Sequence, residues 1–293
     1  MNRMIRKTIQ LTPERAKYYL EHRYHRQRPI NNGVAEAYAR DILAGRWQDD
    51  LCTIDTPIMI TPKGETMNGQ HRCVAVIRAE KPIYIDIVSN VPEEMFDYID
   101  GGKSRTVSQF INAPNAKDVA SIAKFANSIE QGFSIGASLN GRVGYVGKAV
   151  VMASRNELLD YVNVNTEQLQ SAQKRAKRIY HSLKGGSILS FGGACWLIEY
   201  LDGASGAQKL DRVIDEFISD QPKSLMISRT REFVLRKMMT ASREHVRVSN
   251  EFWTGVVLAM YTAYDTSKGR ITDKDVTRAI IFYNTLLDGK EDK

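Results

Sequence analysis

The stretch that decides the fold runs from Ile58 to Val88, IMITPKGETMNGQHRCVAVIRAEKPIYIDIV. Two β-type runs, Ile58–Thr61 and Ile83–Val88, bracket a segment in which Val74, Ala75, Ile77 and Arg78 continue as a helix that Lys81-Pro82 ends. Thr61-Pro62-Lys63-Gly64 is a turn. Upstream, Gly33 opens VAEAYARDILAGRW, where Val34, Tyr38, Ile42 and either Ala35 or Ala39 fall at helical spacing and Gly45 is placed to stop the helix. Cys52–Ile54 is a further β-type run. Downstream, VPEEMFDYIDGGKSRTVSQFI reads as a helix, a Gly-Gly turn and a second helix. The order α-β-β-α-β-α-α over residues 30–112 predicts a small α/β domain.

The flanks differ from this unit. Residues 1–29 read as a basic N-terminal arm in which Thr12-Pro13-Glu14 opens a helix reaching to about Tyr24. The arm is either a solvated surface helix or a phosphate-contacting element, since Lys/Arg interleaved with Tyr and His suits nucleic acid. From residue 113 to 293 the pattern is helical: Lys117–Gln131, Ser154–Val162, Thr166–Leu183 and further segments to Leu287. Ser154-Arg155-Asn156-Glu157 is a capping box. Glycines at 132, 136, 141, 144 and 147 mark residues 132–148 as a mobile loop. The expected fold class is α+β, a small α/β N-terminal domain followed by an all-helical C-terminal domain.

A chain of 293 residues with 43% apolar residues can bury a core without disulfides, which excludes disordered and fibrous classes. The 41 Lys/Arg outnumber the 34 Asp/Glu, a net charge of +7, but the surplus is local. Residues 1–29 hold eight Lys/Arg against two acids, residues 111–190 are also basic, and residues 30–110 are net acidic. The three cysteines form no zinc pattern and read as reduced thiols. With no apolar leader region and no run long enough to span a bilayer, a soluble cytoplasmic protein with no membrane partner is expected.

Two segments carry potential chemistry. Asn68-Gly69-Gln70-His71-Arg72 sits where a β-element turns into a helix, so helical N–H groups, the positive dipole end and two side-chain donors meet at one point. Asp100-Gly101-Gly102-Lys103-Ser104-Arg105-Thr106 is a second glycine turn entering a helix. It is not a Walker A loop, because Asp97 stands where that motif needs its leading glycine. Taken alone, the first segment reads more often as a capping or surface feature and the second equally as a solvated turn; together they could converge on one phosphate chain. Glu36, Asp41, Asp86 and Asp100 are the nearby carboxylates that could hold Mg²⁺ or act as a base.

Residues 30 to about 112 resemble the ParB/sulfiredoxin-like superfamily, more closely its phage-type ParB-like (DGQHR-type, ParB-like nuclease domain) members. The resemblance rests on AEAYARDILAGRW, on IMITPKGETMNGQHR and on FDYIDGGKSRT, in matching order and spacing. It implies a nucleotide- or phosphate-binding site formed by Asn68, Gly69, Gln70, His71 and Arg72, with Lys103, Ser104, Arg105 and Thr106 beside them. The family's usual Asp before the glycine is here Asn68, whose amide is neither a base nor a charged metal ligand. Partition proteins carry a helix-turn-helix after this domain, which implies one within residues 205–247, against the reading of that stretch as a solvated helix face.

The function expected is a phage-encoded, DNA-associated ParB-like protein that binds a nucleoside triphosphate, CTP or ATP, with Mg²⁺ as a further cofactor. DNA contacts are assigned to Arg3, Arg6, Lys7, Arg23, Arg26 and Arg28 and to Lys174, Arg175, Lys177 and Arg178. One alternative is an enzyme of NTP-dependent phosphoryl transfer or phosphodiester hydrolysis, a phosphotransferase, nuclease or NTPase with His71, Glu36 and Asp100 as its catalytic groups. The other is a non-catalytic homo-oligomeric interaction protein. The metal site, if any, is left unassigned.

Overall fold

The computed structural model describes residues 3–27, 29–47, 57–98, 106–139, 145–146, 149–150, 153–266 and 268–291. The chain is a mixed α+β protein, mostly helical, with a small three-stranded sheet. It divides into two compact units, Met1–Thr106 with Gly144–Glu157, and Val107–Val143 with Leu158–Lys293. Among the described residues no helix is long and apolar enough to cross a membrane.

Unit one is built on strands β1 (Ile5–Leu11), β2 (Ile58–Met59) and β3 (Ile83–Ser89), in the spatial order β1-β3-β2. β1 runs antiparallel to β3 with Leu11 opposite Ile83, and β2 runs parallel to β3 with Ile58 opposite Ile87. Parallel neighbours need a crossover, and helix α3 (Gln70–Ala79) supplies it. Helices α1 (Pro13–Glu21) and α2 (Asn32–Leu43) pack against α3. Alternation along the strands sorts the two faces. Ile58, Ile83 and Ile85 join Leu11, Ala39, Ile42 and Val76 in one core, while Met59 and Val88 join Tyr24, Met67 and Phe96 in a smaller cluster.

The stretch read as a basic arm is therefore corrected. Its residues 5–11 are an integral strand, and its helix ends at Glu21 rather than Tyr24. Thr12 caps that helix, accepting from the Arg15 N–H, and Pro13 occupies its first turn, as the sequence indicates. Two segments expected to be helices are short 3₁₀ turns instead, Glu93–Tyr98 and Val107–Gln109. The Cys52–Ile54 run lies outside the described residues.

Unit one also takes in a later piece of chain. A two-stranded ribbon, β4 (Tyr145–Val146) and β5 (Ala149–Val150), leads toward Ser154, and β5 lies against α2. The capping box forms as its sequence requires: the Ser154 N–H donates to Glu157 at 2.6 Å, and the Glu157 N–H donates to Ser154 Oγ at 3.0 Å. It is also charged glue. Glu157 accepts from Arg40 Nε at 2.8 Å, Arg40 Nη2 at 3.0 Å and Arg46 Nη2 at 3.1 Å. Asp41, 3% exposed, accepts from Arg46 Nε at 2.9 Å and Ser154 Oγ at 2.7 Å. The N-terminal unit thus does not close at residue 112. The stretch 132–148 expected as one loop contains helix α5 (Ile135–Leu139) and β4, and residues 140–144 and 147–148 lie outside the described residues.

Unit two is helical. Besides α5 it contains α4 (Ala116–Glu130), the rest of α6 (Arg155–Val164), α7 (Thr166–Leu183), α8 (Ile188–Ile218), α9 (Leu225–Arg243), α10 (Asn250–Ala263) and α11 (Asp273–Glu291). α8 is central, packed by α4, α7 and α10, and it breaks at Gly203, where φ is +62°. A Cβ on Gly192 would overlap Ile122, so this glycine lets α4 approach α8. Phe125, Phe191, Trp196, Phe217 and Trp253 fill the core.

Candidate functional site

The Asn68–Arg72 segment forms the entrance to α3. Gly69 has a left-handed backbone, φ +85°, and a Cβ there would lie 2.8 Å from Ile58 Cγ1, so both conformation and space call for glycine. Asn68 fastens this turn to the sheet. Its Oδ1 accepts the Met59 N–H at 2.8 Å and its Nδ2 donates to the Pro57 carbonyl at 3.0 Å. Asn68 thus acts on the site from behind, positioning Gly69.

Among the described residues no side chain caps α3. The first N–H groups of a helix lack intrahelical acceptors and carry the positive end of its dipole. Arg72 adds a fixed charge at this end: its Nη2 lies 3.3 Å from the place a Gly69 Cβ would take, so the guanidinium folds over the turn. Gln70 is buried beneath the entrance.

His71 makes a contact with no counterpart in the linear reading. Its Nε2 accepts the N–H of Asn31 at 2.9 Å. Asn31 is the N-cap of α2, with Oδ1 accepting from the Gly33 N–H at 3.0 Å and the Val34 N–H at 3.3 Å. The N-terminal ends of α2 and α3 are therefore brought together at His71. The helices continue side by side. Arg78 Nη1 donates to the Asn32 carbonyl at 3.2 Å and pairs with Glu36 at 3.0 Å, and Lys81 Nζ reaches the Ile42 carbonyl at 3.4 Å. Asn31 is the position beside this candidate site that the linear pattern does not single out. The cue was available, an Asn two residues before Gly33 and the apolar periodicity.

The nearby carboxylates are committed elsewhere. Glu36 pairs with Arg78, and Asp41 belongs to the Arg46–Ser154 cluster. Asp86 accepts from Thr8 Oγ1 at 2.5 Å and Arg6 Nε at 2.6 Å. The Thr8 hydrogen bond, with help from Arg6, outweighs burial and holds the Asp86 carboxyl below the ordinary range. Among the described residues no group of three or more His, Cys, Asp or Glu could hold a metal ion. Asp100, Lys103, Ser104 and Arg105 lie outside the described residues; Thr106 is exposed. Cys73 sits one residue past Arg72, and burial, against the pull of the Arg72 charge, pushes its thiol up to about 12.

The DNA-contact residues divide. Arg3, Lys7, Arg23 and Arg26 are exposed, with Arg26 stacked 5.1 Å from the centre of the Phe96 ring. Arg6 is tied to Asp86, and strand alternation sends it and Lys7 to opposite faces of the sheet. Arg28 lies outside the described residues. In unit two only Lys174 of its set is fully on the surface. Arg175 is corrected: it is 8% exposed, paired with Asp211 at 2.8 Å and Glu199 at 2.6 Å, and serves the core. Arg178 pairs with Asp215, and Lys177 lies 4.0 Å from Asp118. Within residues 205–247, Arg231 donates to the Ser219 carbonyl, Arg236 pairs with Glu232 and Lys237 with Asp273, while α10, which follows α9, is buried along most of its length.

No protein-family model, curated protein or solved structure matches this chain.

Proposed function

We propose that unit one is a ParB/sulfiredoxin-like domain that binds the phosphates of a nucleoside triphosphate, CTP or ATP with Mg²⁺, at the joined N-termini of α2 and α3, and that the protein associates with DNA. The observation that carries this reading is the His71–Asn31 hydrogen bond, which brings the N-terminal ends of two helices together beside the Arg72 guanidinium. Two helix ends and an arginine fork suit a polyphosphate rather than a neutral ligand. Binding is favoured over catalysis because Glu36, Asp41 and Asp86 are each engaged by arginine or hydroxyl partners. DNA association falls to the exposed cations of unit one, Lys7, Arg23 and Arg26.

Thermal unfolding with CTP, ATP, GTP and UTP, each with and without Mg²⁺, tests the pocket. A nucleotide that binds only the folded chain raises the melting temperature. Arg72→Ala should weaken that binding by about tenfold or more. No stabilisation by any nucleotide, or equal stabilisation of Arg72→Ala, would refute the assignment. DNA retardation at low salt tests the second half. Three phosphate contacts give a slope of about −3 in log affinity against log salt.

A further inference from the structure

Helix α11 packs on α10 and buries Val276, Ala279 and Tyr283. Its opposite face is apolar at the centre: Ile281 is 59% exposed, Phe282 50% and Leu286 41%. Neighbouring exposed apolar side chains rimmed by charge mark an interaction surface. The charges toward the two ends of this face are arranged in an unusual way. Asp273 and Asp275, in the first turn, are held by Lys237 and Lys268. Lys274 and Asp288 are exposed and have no ion-pair or hydrogen-bond partner among the described residues. Each also opposes the dipole of its own helix, Lys274 as a cation in the first turn and Asp288 as an anion in the last. Within one chain this placement is unfavourable.

A second copy of the same helix, run antiparallel, makes the placement favourable. Lys274 and Asp288 stand fourteen residues apart. In a helix that is about 21 Å along the axis and about 40° short of four full turns. Both therefore lie on the face that carries Ile281, which is midway between them. A two-fold axis beside Ile281 sets Lys274 of each copy against Asp288 of the other. The same axis brings the Phe282–Leu286 flank of one helix against that of its mate. The two helix dipoles then run in opposite directions, and a two-fold contact is self-complementary and closes at two copies. We propose that α11 is a homodimerisation face. It pairs antiparallel with α11 of a second copy through Ile281, Phe282, Leu286 and two Lys274–Asp288 ion pairs. The proposal does not depend on the nucleotide reading.

Sedimentation equilibrium of the full chain from about 5 to 500 µM tests it. One helix pair buries less than the roughly 1,200 Å² of standard interfaces, so the dimer Kd should be on the order of 100 µM. The average mass should climb from one chain toward two across that range. Phe282→Asp should leave the chain monomeric. Phe282 is half exposed, so an unchanged melting temperature would show that this variant still folds. Lys274→Glu and Asp288→Lys should each weaken the dimer several-fold. Each reversal suits the dipole of the isolated helix, so weaker association cannot be put down to fraying. The double variant Lys274→Glu/Asp288→Lys should recover the original affinity. Three results would overturn the proposal: a monomer at every concentration, a dimer that Phe282→Asp leaves intact, or a double variant that associates no more tightly than the single ones.

Discussion

Replacing Glu157 by Gln should loosen unit one, and the size of the effect follows from its surroundings. The carboxylate accepts hydrogen bonds from Arg40 Nε, Arg40 Nη2, Arg46 Nη2 and the Ser154 N–H. Its side chain is 14% exposed and those of Arg40 and Arg46 are 28% exposed. Surface ion pairs contribute about 0–1 kcal/mol, and removing one partner of a buried pair costs about 3–5 kcal/mol. This cluster lies between, and it includes a helix cap worth about 1 kcal/mol. We expect about 2–4 kcal/mol, because the Gln amide keeps the shape but turns a donor toward the arginines. With an m-value of about 2 kcal/mol/M, the urea midpoint of unit one should fall by roughly 1–2 M at neutral pH.

Acid supplies a second reading of the same substitution. Burial pushes the Glu157 carboxyl up, but the hydrogen bonds from Arg40 and Ser154 and the charges of Arg40 and Arg46 together hold it below the ordinary carboxylate range. A carboxylate held low in the folded state gives stability that is complete above its unfolded value, about pH 4.3. That stability is lost as pH falls through the folded value. Wild type and Glu157→Gln should therefore differ most near neutrality and converge in acid. A neutral-pH midpoint within about 0.2 M of wild type, or a gap that acid leaves undiminished, would refute the reasoning.

Three further substitutions have definite expected outcomes. Gly69→Ala places a Cβ at φ +85° and 2.8 Å from Ile58, so it should cost about 1–3 kcal/mol in urea unfolding. Arg175→Ala takes the buried guanidinium from Glu199 and from Asp211, which keeps Arg178 at 3.7 Å, and should cost about 2–4 kcal/mol, whereas Lys174→Ala, on the surface, should stay within about 0.5 kcal/mol. Burial pushes the thiols of Cys73 and Cys195 up to about 12, against the charges of Arg72 and Arg175 respectively. In a Cys52→Ser chain neither should take up iodoacetamide at about pH 8 until urea unfolds it; native labelling at either would contradict their burial.

Signals contained within one turn of chain were the legible ones. Thr12-Pro13 and Ser154 to Glu157 each carry their own partners within a few residues, and each forms as its chemistry directs. Contacts across long separations were not legible. Ile5–Leu11 looks like a basic arm because Arg6, Lys7 and Thr8 mask a weak alternation, and its hydrogen-bonding partner β3 begins at Ile83. Arg175 looks like part of a basic helix face because its two carboxylates come from Glu199 and Asp211, far along the chain. His71 stands out in the sequence for its chemistry, but its tie to Asn31, which brings two helix ends together, depends on packing that no local pattern encodes.

The interrupted path of unit one bears on how the chain acquires structure during synthesis. The strands and α1 to α3 leave the ribosome early, but Ser154 and Glu157 emerge only after residues 107–143 have been made. Until then Arg40 lacks the Glu157 carboxylate, and Asp41, paired with Arg46, lacks the Ser154 hydroxyl. Domains generally fold as units in the order they are translated, and here the first unit stays unfinished while part of the second is added. A fragment ending at residue 112 would present this waiting state permanently, with Arg40 deprived of Glu157, and proteases should recognise it as incomplete.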